Sequence, residues 1–308
     1  MAALISKLPT LKEQRGDSKG LLEAIETKML NLLKVDASPH ASIAAIAHQA
    51  ATYHLMSGGQ RIRARIATHA CSALALSTQD TVLIAATAEL AHNASLIHDD
   101  LQDRDRTRHG KDSVWVAFGD GVAICAGDLL LSAAYCAIAG ISRTHLLPPL
   151  ISLVHSRVSD ASIGQCADLK KEQAQGITLE VYEHLAALKS GALLSLPIEL
   201  ALAAAGLSEA LPTAKKIAKS FAIGYQIFDD LNDANKDASR LNIHPAINAV
   251  AVISALSTND EPIAHARKLA IRHLGNAADW SLLLPNNCGQ LIQMLALDLQ
   301  AQIAATLA

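Results

Sequence analysis

Apolar residues in this chain recur at helical spacing almost from end to end, and the glycines and prolines that would interrupt helices are sparse. Residues 83–98 carry apolar side chains on most faces, as a helix buried inside a bundle does, and residues 123–141, 181–205 and 211–231 behave alike. The strings at 192–205 and 249–256 read as buried helices. Breaks fall at Ser57-Gly58-Gly59, residues 104–110, Leu147-Pro148-Pro149, residues 206–212, residues 237–245 and Pro285-Asn286-Asn287. None is long enough for an interdomain linker, no segment repeats, and strand-like alternation is nearly absent. The pattern predicts an all-α chain folded as a single domain over residues 1–308.

Composition narrows this further. Of the residues, 51% are hydrophobic and only 3% aromatic, so the core is expected to be mostly Ala, Leu and Ile, with apolar surface left for a large helical interface. The net charge of −3 offers no electrostatic footprint for nucleic acid or an anionic membrane surface. Five cysteines (Cys71, Cys125, Cys136, Cys166, Cys288) lack CxxC spacing, which fits reduced thiols in a cytoplasmic protein. The first residues lack the apolar run of a signal peptide. No uninterrupted apolar run reaches ~18 residues, so no transmembrane span is expected.

Against this background two acid clusters stand out, Asp99-Asp100-Leu101-Gln102-Asp103 and Asp229-Asp230-Leu231-Asn232-Asp233. In each, the first and last carboxylates are at i and i+4, one helical turn apart on the same face. Three acids inside an apolar helical stretch call for a cation, and hard divalent metals such as Mg²⁺ take carboxylate oxygens, keep waters and bridge to phosphate. Two such clusters facing each other would hold metals with a diphosphate between them.

Other polar residues recur where a helical core would prefer none. The turn Ser57-Gly58-Gly59-Gln60-Arg61-Ile62-Arg63 suits an anion, or is simply a helix start with exposed arginines. Arg104, Arg106 and Arg108 follow the first cluster, as anion ligands or as an exposed charged loop. Lys189-Ser190-Gly191 interrupts an apolar helix, where a buried lysine needs an anionic partner. Gln226 lies one turn before Asp230, and His92 two turns before Asp99, where a satisfied core histidine is the ordinary alternative.

Together these elements resemble the trans-isoprenyl diphosphate synthases, the polyprenyl synthetase family, from about Gly58 to Asp237. Leu96-Ile97-His98 with the cluster from Asp99 to Asp103 resembles the family's first aspartate-rich motif. Gly224-Tyr225-Gln226-Ile227-Phe228 with the cluster from Asp229 to Asp233 resembles the other. Between them Phe118-Gly119, Gly127-Asp128-Leu129-Leu130, Gly164-Gln165 with Asp168-Leu169, and Lys189-Ser190-Gly191-Ala192-Leu193 stand in family order.

The resemblance implies an isoprenoid-synthase-type helical bundle around a central active-site cavity, acting as a homodimer. It implies condensation of an allylic diphosphate with isopentenyl diphosphate to an all-trans polyprenyl diphosphate, with three Mg²⁺ ions per site. Asp99, Asp103 and Asp229 would be the principal metal ligands and, with Lys189, the catalytic groups; Asp100, Asp230 and Asp233 would support them. Arg108, Lys189, Ser190 and Gln226 match groups that bind the allylic diphosphate. Gln60, Arg63, His92 and His109 occupy the positions that bind isopentenyl diphosphate.

Two of those four depart from the family. Its GGKRxRP reads Gly58-Gly59-Gln60-Arg61-Ile62-Arg63-Ala64, and its Arg-Arg-Gly reads Arg108-His109-Gly110. A charge-assisted hydrogen bond to a diphosphate contributes ~1.5–3 kcal/mol, so losing two weakens this substrate by about two orders of magnitude or more. A protonated His109 would offset part of that. The segment Ala234-Asn235-Lys236-Asp237-Ala238-Ser239-Arg240-Leu241-Asn242 reads as a shortened loop without the family's glycine-lysine pair, with Lys236 or Arg240 standing in.

Three readings therefore stay open. Chain elongation leads. A class I terpene synthase, ionising an allylic diphosphate without efficient isopentenyl diphosphate use, is the rival, although few aromatics are available to stabilise a cyclising cation. A non-catalytic subunit of a heteromeric synthase is the third, with the intact acid motifs against it.

Ala94, five residues before Asp99, and Ala91 leave room along the tunnel wall at about 1.5 Å per residue, with Tyr135 as its floor. That favours a product of geranylgeranyl length, C20, or longer. The alternative is that both alanines only permit close helix packing.

Overall fold

The structure, a computed structural model, describes residues 15–34, 45–169, 177–237, 248–256 and 261–305. The chain is all-α. In order the helices are α1 (Arg15–Leu32), α2 (Ile46–Leu55), α3 (Ile62–Ala73), α4 (Thr78–Gln102), α5 (Val114–Phe118), α6 (Asp120–Ala139), α7 (Leu147–Leu169), α8 (Leu179–Ala186), α9 (Ala192–Ala204), α10 (Leu211–Asp237), α11 (Ala249–Leu256), α12 (Pro262–Ser281) and α13 (Gln290–Ala305). Two-residue strands, β1 (Thr107–Arg108) and β2 (Lys111–Asp112), pair antiparallel between α4 and α5. The residues divide into two compact units, one from Met1–Val154 with Leu200–Gly206, the other from His155–Glu199 with Leu207–Ala308.

In the first unit α4 is the spine. The Ser77 hydroxyl caps it by accepting the Asp80 N–H at 3.1 Å. Asp80 in turn accepts the N–H and hydroxyl of Ser142 at 2.9 and 2.6 Å, fixing the segment after α6. Residues 83–91 are all buried, as their all-round apolarity predicts. The helix α6 lies antiparallel along α4: Leu83 meets Gly140, the Thr87 hydroxyl approaches the Ala134 carbonyl at 3.4 Å, and His98 packs on Gly127. A Cβ at Gly127 would run into the His98 ring, which would have to turn aside. The start of α3 lacks a cap of its own, and the buried Glu89 supplies one by accepting the Ala64 N–H at 3.0 Å.

In the second unit α10 packs on α12, and α12 on α13. The hydroxyl of Thr178 caps α8 by accepting the Val181 N–H at 3.3 Å. The helix expected over 181–205 is not continuous α-helix: Ala187–Gly191 form a π turn between α8 and α9.

Other boundaries shift for physical reasons. Pro148 and Pro149, expected to break a helix, stand in the first turn of α7, where a missing N–H costs nothing. The helix α11 is buried at Ala249, Val252 and Ile253 and exposed at Ala251, Ser254 and Ala255, so it is amphipathic rather than buried. Residues 234–237, expected as loop, continue α10, so Lys236 is helical; Arg240 lies outside the described residues. Two helical stretches, Asp120–Ala139 and Leu179–Ala204, are long and apolar enough to cross a membrane by length and composition, and 72% of the second's apolar window is already buried in protein.

Candidate active site

The first acid cluster closes α4, and its members point to different tasks. Asp100 is 1% exposed and is gripped by Arg108, whose Nε donates at 3.0 and 3.2 Å while Nη2 reaches the same carboxylate. Burial pushes the Asp100 carboxyl up, with Arg108 pulling against it. Asp99 is half-buried and Asp103 exposed, one turn apart as the i, i+4 spacing requires.

Arg108 is aimed by the hairpin. His109 (φ 52°) and Gly110 (φ 78°) form its two-residue turn, and positive φ at both positions gives the turn that matches strand twist. Tyr53 Oη donates to the Asp112 carbonyl at 2.9 Å and Trp115 Nε1 to that of Asp105 at 2.8 Å. Arg104 and Arg106 lie over the Trp115 ring, 5.1 and 5.8 Å from its centre, and Arg104 also pairs with Asp120 at 2.9 Å. The three arginines therefore divide: two bind the loop to itself, and the third turns inward.

The glycine turn comes up beside this hairpin. Gly58 and Gly59 have φ of 110° and 122°, and a Cβ on Gly59 would lie 3.5 Å from both His109 Nε2 and Arg61 Nη1. Arg61 is consumed locally, donating to the Leu55 carbonyl (2.6 Å) and to Glu26 (3.1 Å). Gln60 Oε1 is buried with no hydrogen-bond partner among the described residues. Arg63 and His92 are neighbours: burial, then Arg63, then His54 hold the His92 imidazole well below its usual range.

His54, in the last turn of α2, was not singled out from sequence. It is 3% exposed, and burial, then Arg108, lower it to about 4, with Arg61 and His109 adding to the effect. His109 is lowered by burial, Arg108 and Arg61, with Asp100 pulling the other way. The only hint of His54 in the sequence was a histidine ending an apolar helix just before a glycine pair.

Ala91 and Ala94 are each 3% exposed on α4. Tyr135 follows Ala134, which faces Thr87, so it stands about 18 Å along α4 from the level of Asp99.

In the second unit the π turn carries Lys189 and Ser190. Lys189 Nζ donates to Asp168 Oδ2 at 2.5 Å, the anionic partner that a half-buried lysine requires. The turn is wedged between helices. A Cβ on Gly164 of α7 would come within 2.8 Å of Leu188 C and Lys189 Cα, and nearer still to Lys189 N. On the other side a Cβ on Gly191 would meet Ala222 and Lys219 of α10 at 3.3–3.5 Å. Gln165, one turn from Asp168, is 8% exposed, and neither amide atom has a partner among the described residues.

The second cluster ends α10. Asp230, 7% exposed, accepts Tyr182 Oη (2.7 Å) and the Ala249 N–H (2.8 Å) on Oδ2 and Gln226 Nε2 (3.2 Å) on Oδ1. It thereby caps α11. Burial, then Asp230, raises the Tyr182 hydroxyl, so that group stays a donor at all ordinary pH. Asp229 is half-buried beside it, and Asp233 stands one turn further along the helix. Among the described residues no three His, Cys, Asp or Glu side chains converge on one point. The donor set is carboxylate oxygen throughout, which fits a hard cation that completes its shell with water and a phosphate ligand.

The profile of the polyprenyl synthetase family matches residues 44–244, which take in both acid motifs. A short chain isoprenyl diphosphate synthase of Methanocaldococcus jannaschii is 31% identical over 236 residues, covering 74% of this chain and 71% of that one. The chloroplastic geranylgeranyl pyrophosphate synthase of Capsicum annuum is 30% identical over 204 residues, 64% of this chain and only 55% of that one. Among solved structures, a geranylgeranyl pyrophosphate synthetase from Pyrococcus horikoshii superposes with a TM-score of 0.79 at 22% identity, covering 91% of this chain and 96% of that one. At that identity the likeness speaks to the fold.

Proposed function

Because the chain belongs to the polyprenyl synthetase family, a family of prenyltransferases, we propose that it condenses an allylic diphosphate with isopentenyl diphosphate to a longer all-trans polyprenyl diphosphate. Relatives named as geranylgeranyl synthases support a product of geranylgeranyl length, the Methanocaldococcus jannaschii relative being named a short chain synthase, and C20 or longer is the reading drawn from the small side chains of Ala91 and Ala94.

The observation that carries the proposal is the division of labour within each acid motif. Asp100 is taken up by Arg108, and Asp230 by Tyr182, Gln226 and the Ala249 amide. These two carboxylates aim their neighbours and would support them at the metal. Asp99, Asp103 and Asp229, with Asp233, would be the residues to hold Mg²⁺, three ions in the fullest form. When bound, the metal supplies positive charge to the departing diphosphate.

The chain's own groups do the rest. Arg108, oriented by Asp100, presents its remaining N–H donors to the allylic diphosphate. Lys189 exchanges Asp168 for that diphosphate, and Ser190 and Gln226 add neutral hydrogen bonds. The allylic C–O bond breaks, its carbon bonds to the terminal carbon of isopentenyl diphosphate, and the released diphosphate takes the proton lost. Arg63, His92, His54, Gln60 and His109 bind the second diphosphate. A homodimer, which rests on the family resemblance, and a cytoplasmic location, which rests on the scattered cysteines, are part of the same reading.

One observation favours a second reading. With Gln60 and His109 standing where the family carries a lysine and an arginine, the isopentenyl diphosphate position lacks two permanent cations, as in an enzyme that ionises an allylic diphosphate alone. The purified protein with Mg²⁺ and geranyl, farnesyl or geranylgeranyl diphosphate, with and without isopentenyl diphosphate, separates the two. Longer diphosphates formed only with isopentenyl diphosphate support elongation. Hydrocarbons or alcohols from the allylic diphosphate alone would replace it with the terpene synthase reading.

A further inference from the structure

Behind the π turn, within the second unit, lies an open cavity of about 140 Å³. It is lined by Ala187, Leu188 and Gly191 of the turn, but by neither Lys189 nor Ser190. Its charged lining comes from three helices: Arg157 and Asp160 on α7, His184 on α8, and Lys215 and Lys219, one turn apart, on α10. Arg157 is 6% exposed. Its Nη1 donates to Asp160 at 2.7 Å and its Nη2 to Ser156 Oγ at 3.0 Å. Its Nε stands 3.5 Å from the buried Glu199, and neither that Nε nor Glu199 Oε2 has a hydrogen-bond partner among the described residues. Lys215 shares Asp160 at 3.7 Å. Lys219 makes no ion pair among the described residues.

Three cations thus stand against two carboxylates, one of which is shared. A guanidinium fixed by Asp160 and Ser156, with two exposed lysines nearby, is a donor set that recognises phosphate oxygens. The size is selective too. Pockets for drug-sized ligands run from ~300 to 1,000 Å³, whereas this one has room for about four or five waters at ~30 Å³ each. It accepts a phosphate or diphosphate group and leaves no room for a prenyl chain.

We propose that this cavity binds a diphosphate-class anion, separately from Arg108 and Lys189, and that its occupant acts on Lys189 through the π turn. The second half rests on the role assigned to Lys189 above. A π turn carries one residue more than the α-helix around it and is frequent at functional sites. An anion that draws Arg157 and Lys219 together presses on the segment already wedged between Gly164 and α10. The anion is either free diphosphate, which the proposed reaction releases, or the head of a prenyl diphosphate whose chain stays outside.

The test is calorimetric titration of the full chain in EDTA with inorganic diphosphate and, separately, farnesyl diphosphate, on the wild type and a Lys215→Ala/Lys219→Ala variant. Both lysines are exposed, so the variant is expected to fold normally. Arg108 and Lys189 are common to both proteins, so their contribution cancels. Inorganic diphosphate is expected to bind the variant about tenfold more weakly or worse. Loss of farnesyl diphosphate binding alone would identify the prenylated head as the ligand. Identical isotherms in both proteins with both probes would overturn the site, leaving Lys215 and Lys219 as solvated surface. Amide exchange across residues 187–191 is expected to slow with diphosphate in the wild type and not in the variant, and unchanged exchange would break the link to Lys189. None of these readouts needs turnover, so failure of the condensation assay counts against the proposed reaction and not against the cavity.

Discussion

Tyr182 Oη donates to Asp230 Oδ2 at 2.7 Å across 48 residues of sequence, joining α8 to α10 where Asp230 also caps α11. Three helices therefore depend on one carboxylate in the second acid motif. A Tyr182→Phe substitution removes a hydrogen bond to a buried charged group, worth about 1.5–3 kcal/mol, while leaving the ring's packing. Thermal unfolding should show that loss. Turnover should fall further than stability alone explains, because Asp229 sits beside the loosened carboxylate. A variant with normal turnover would separate Asp230 from the reaction.

Gly164 tests the wedge beneath Lys189. Alanine is the better helix former by about 1 kcal/mol, so an uncrowded site would be stabilised by Gly164→Ala. The new Cβ instead meets backbone atoms of Leu188 and Lys189 at 2.8 Å or less, and backbone cannot rotate away. Overpacking of this kind costs ~1–3 kcal/mol or more. The variant should melt lower and show a raised KM for the allylic diphosphate. Gly191→Ala, with contacts of 3.3–3.5 Å, should be milder on both counts. Equal behaviour of the two variants would show that the turn is not held as described.

These two glycines also mark where sequence reading stopped. The helices were legible because all-round apolarity over residues 83–98 and the i, i+4 aspartates need no partner to be recognised. The π turn was not, since Ala187-Leu188-Lys189-Ser190-Gly191 is compatible with ordinary helix and its extra residue is set by Gly164 on another helix. The splitting of Arg104, Arg106 and Arg108 was equally hidden. Nothing in their spacing says that Trp115 takes two of them and Asp100 the third. His54 escaped notice because its environment is made by Arg108 and Arg61, residues distant in sequence or in an adjoining turn.

His54 also makes stability depend on pH. Its folded value is about 4 against 6.5 when unfolded, so between those values the unfolded chain binds a proton that the folded chain refuses. The stabilising effect of a neutral His54 is complete above pH 6.5 and is lost as pH falls towards 4. The full swing is about 3 kcal/mol, and His92, lowered in the same direction, adds to it. Denaturation midpoints measured from pH 7.5 down to 4.5 should fall steadily, and a His54→Asn variant should flatten the slope. An unchanged slope in that variant would assign acid sensitivity to other groups.

Gln60→Lys restores the cation that the family carries at this position. Gln60 Oε1 is buried without a partner among the described residues, its chain neighbours include Arg61 and Arg63, and both of these together with Arg108 act on His92. Without ligand, a fourth cation there is repelled, so the variant should unfold at a lower temperature than the wild type. With isopentenyl diphosphate the sign reverses. One added charge-assisted bond of ~1.5–3 kcal/mol corresponds to a KM for isopentenyl diphosphate lower by about 10- to 150-fold. The KM for the allylic substrate should barely move. Excess isopentenyl diphosphate should restore the lost unfolding temperature in the variant more than in the wild type. A KM for isopentenyl diphosphate that stays where it was, with the apo variant equally stable, would mean that Gln60 does not face that diphosphate, and the shortage of cations would then lie at His109 alone.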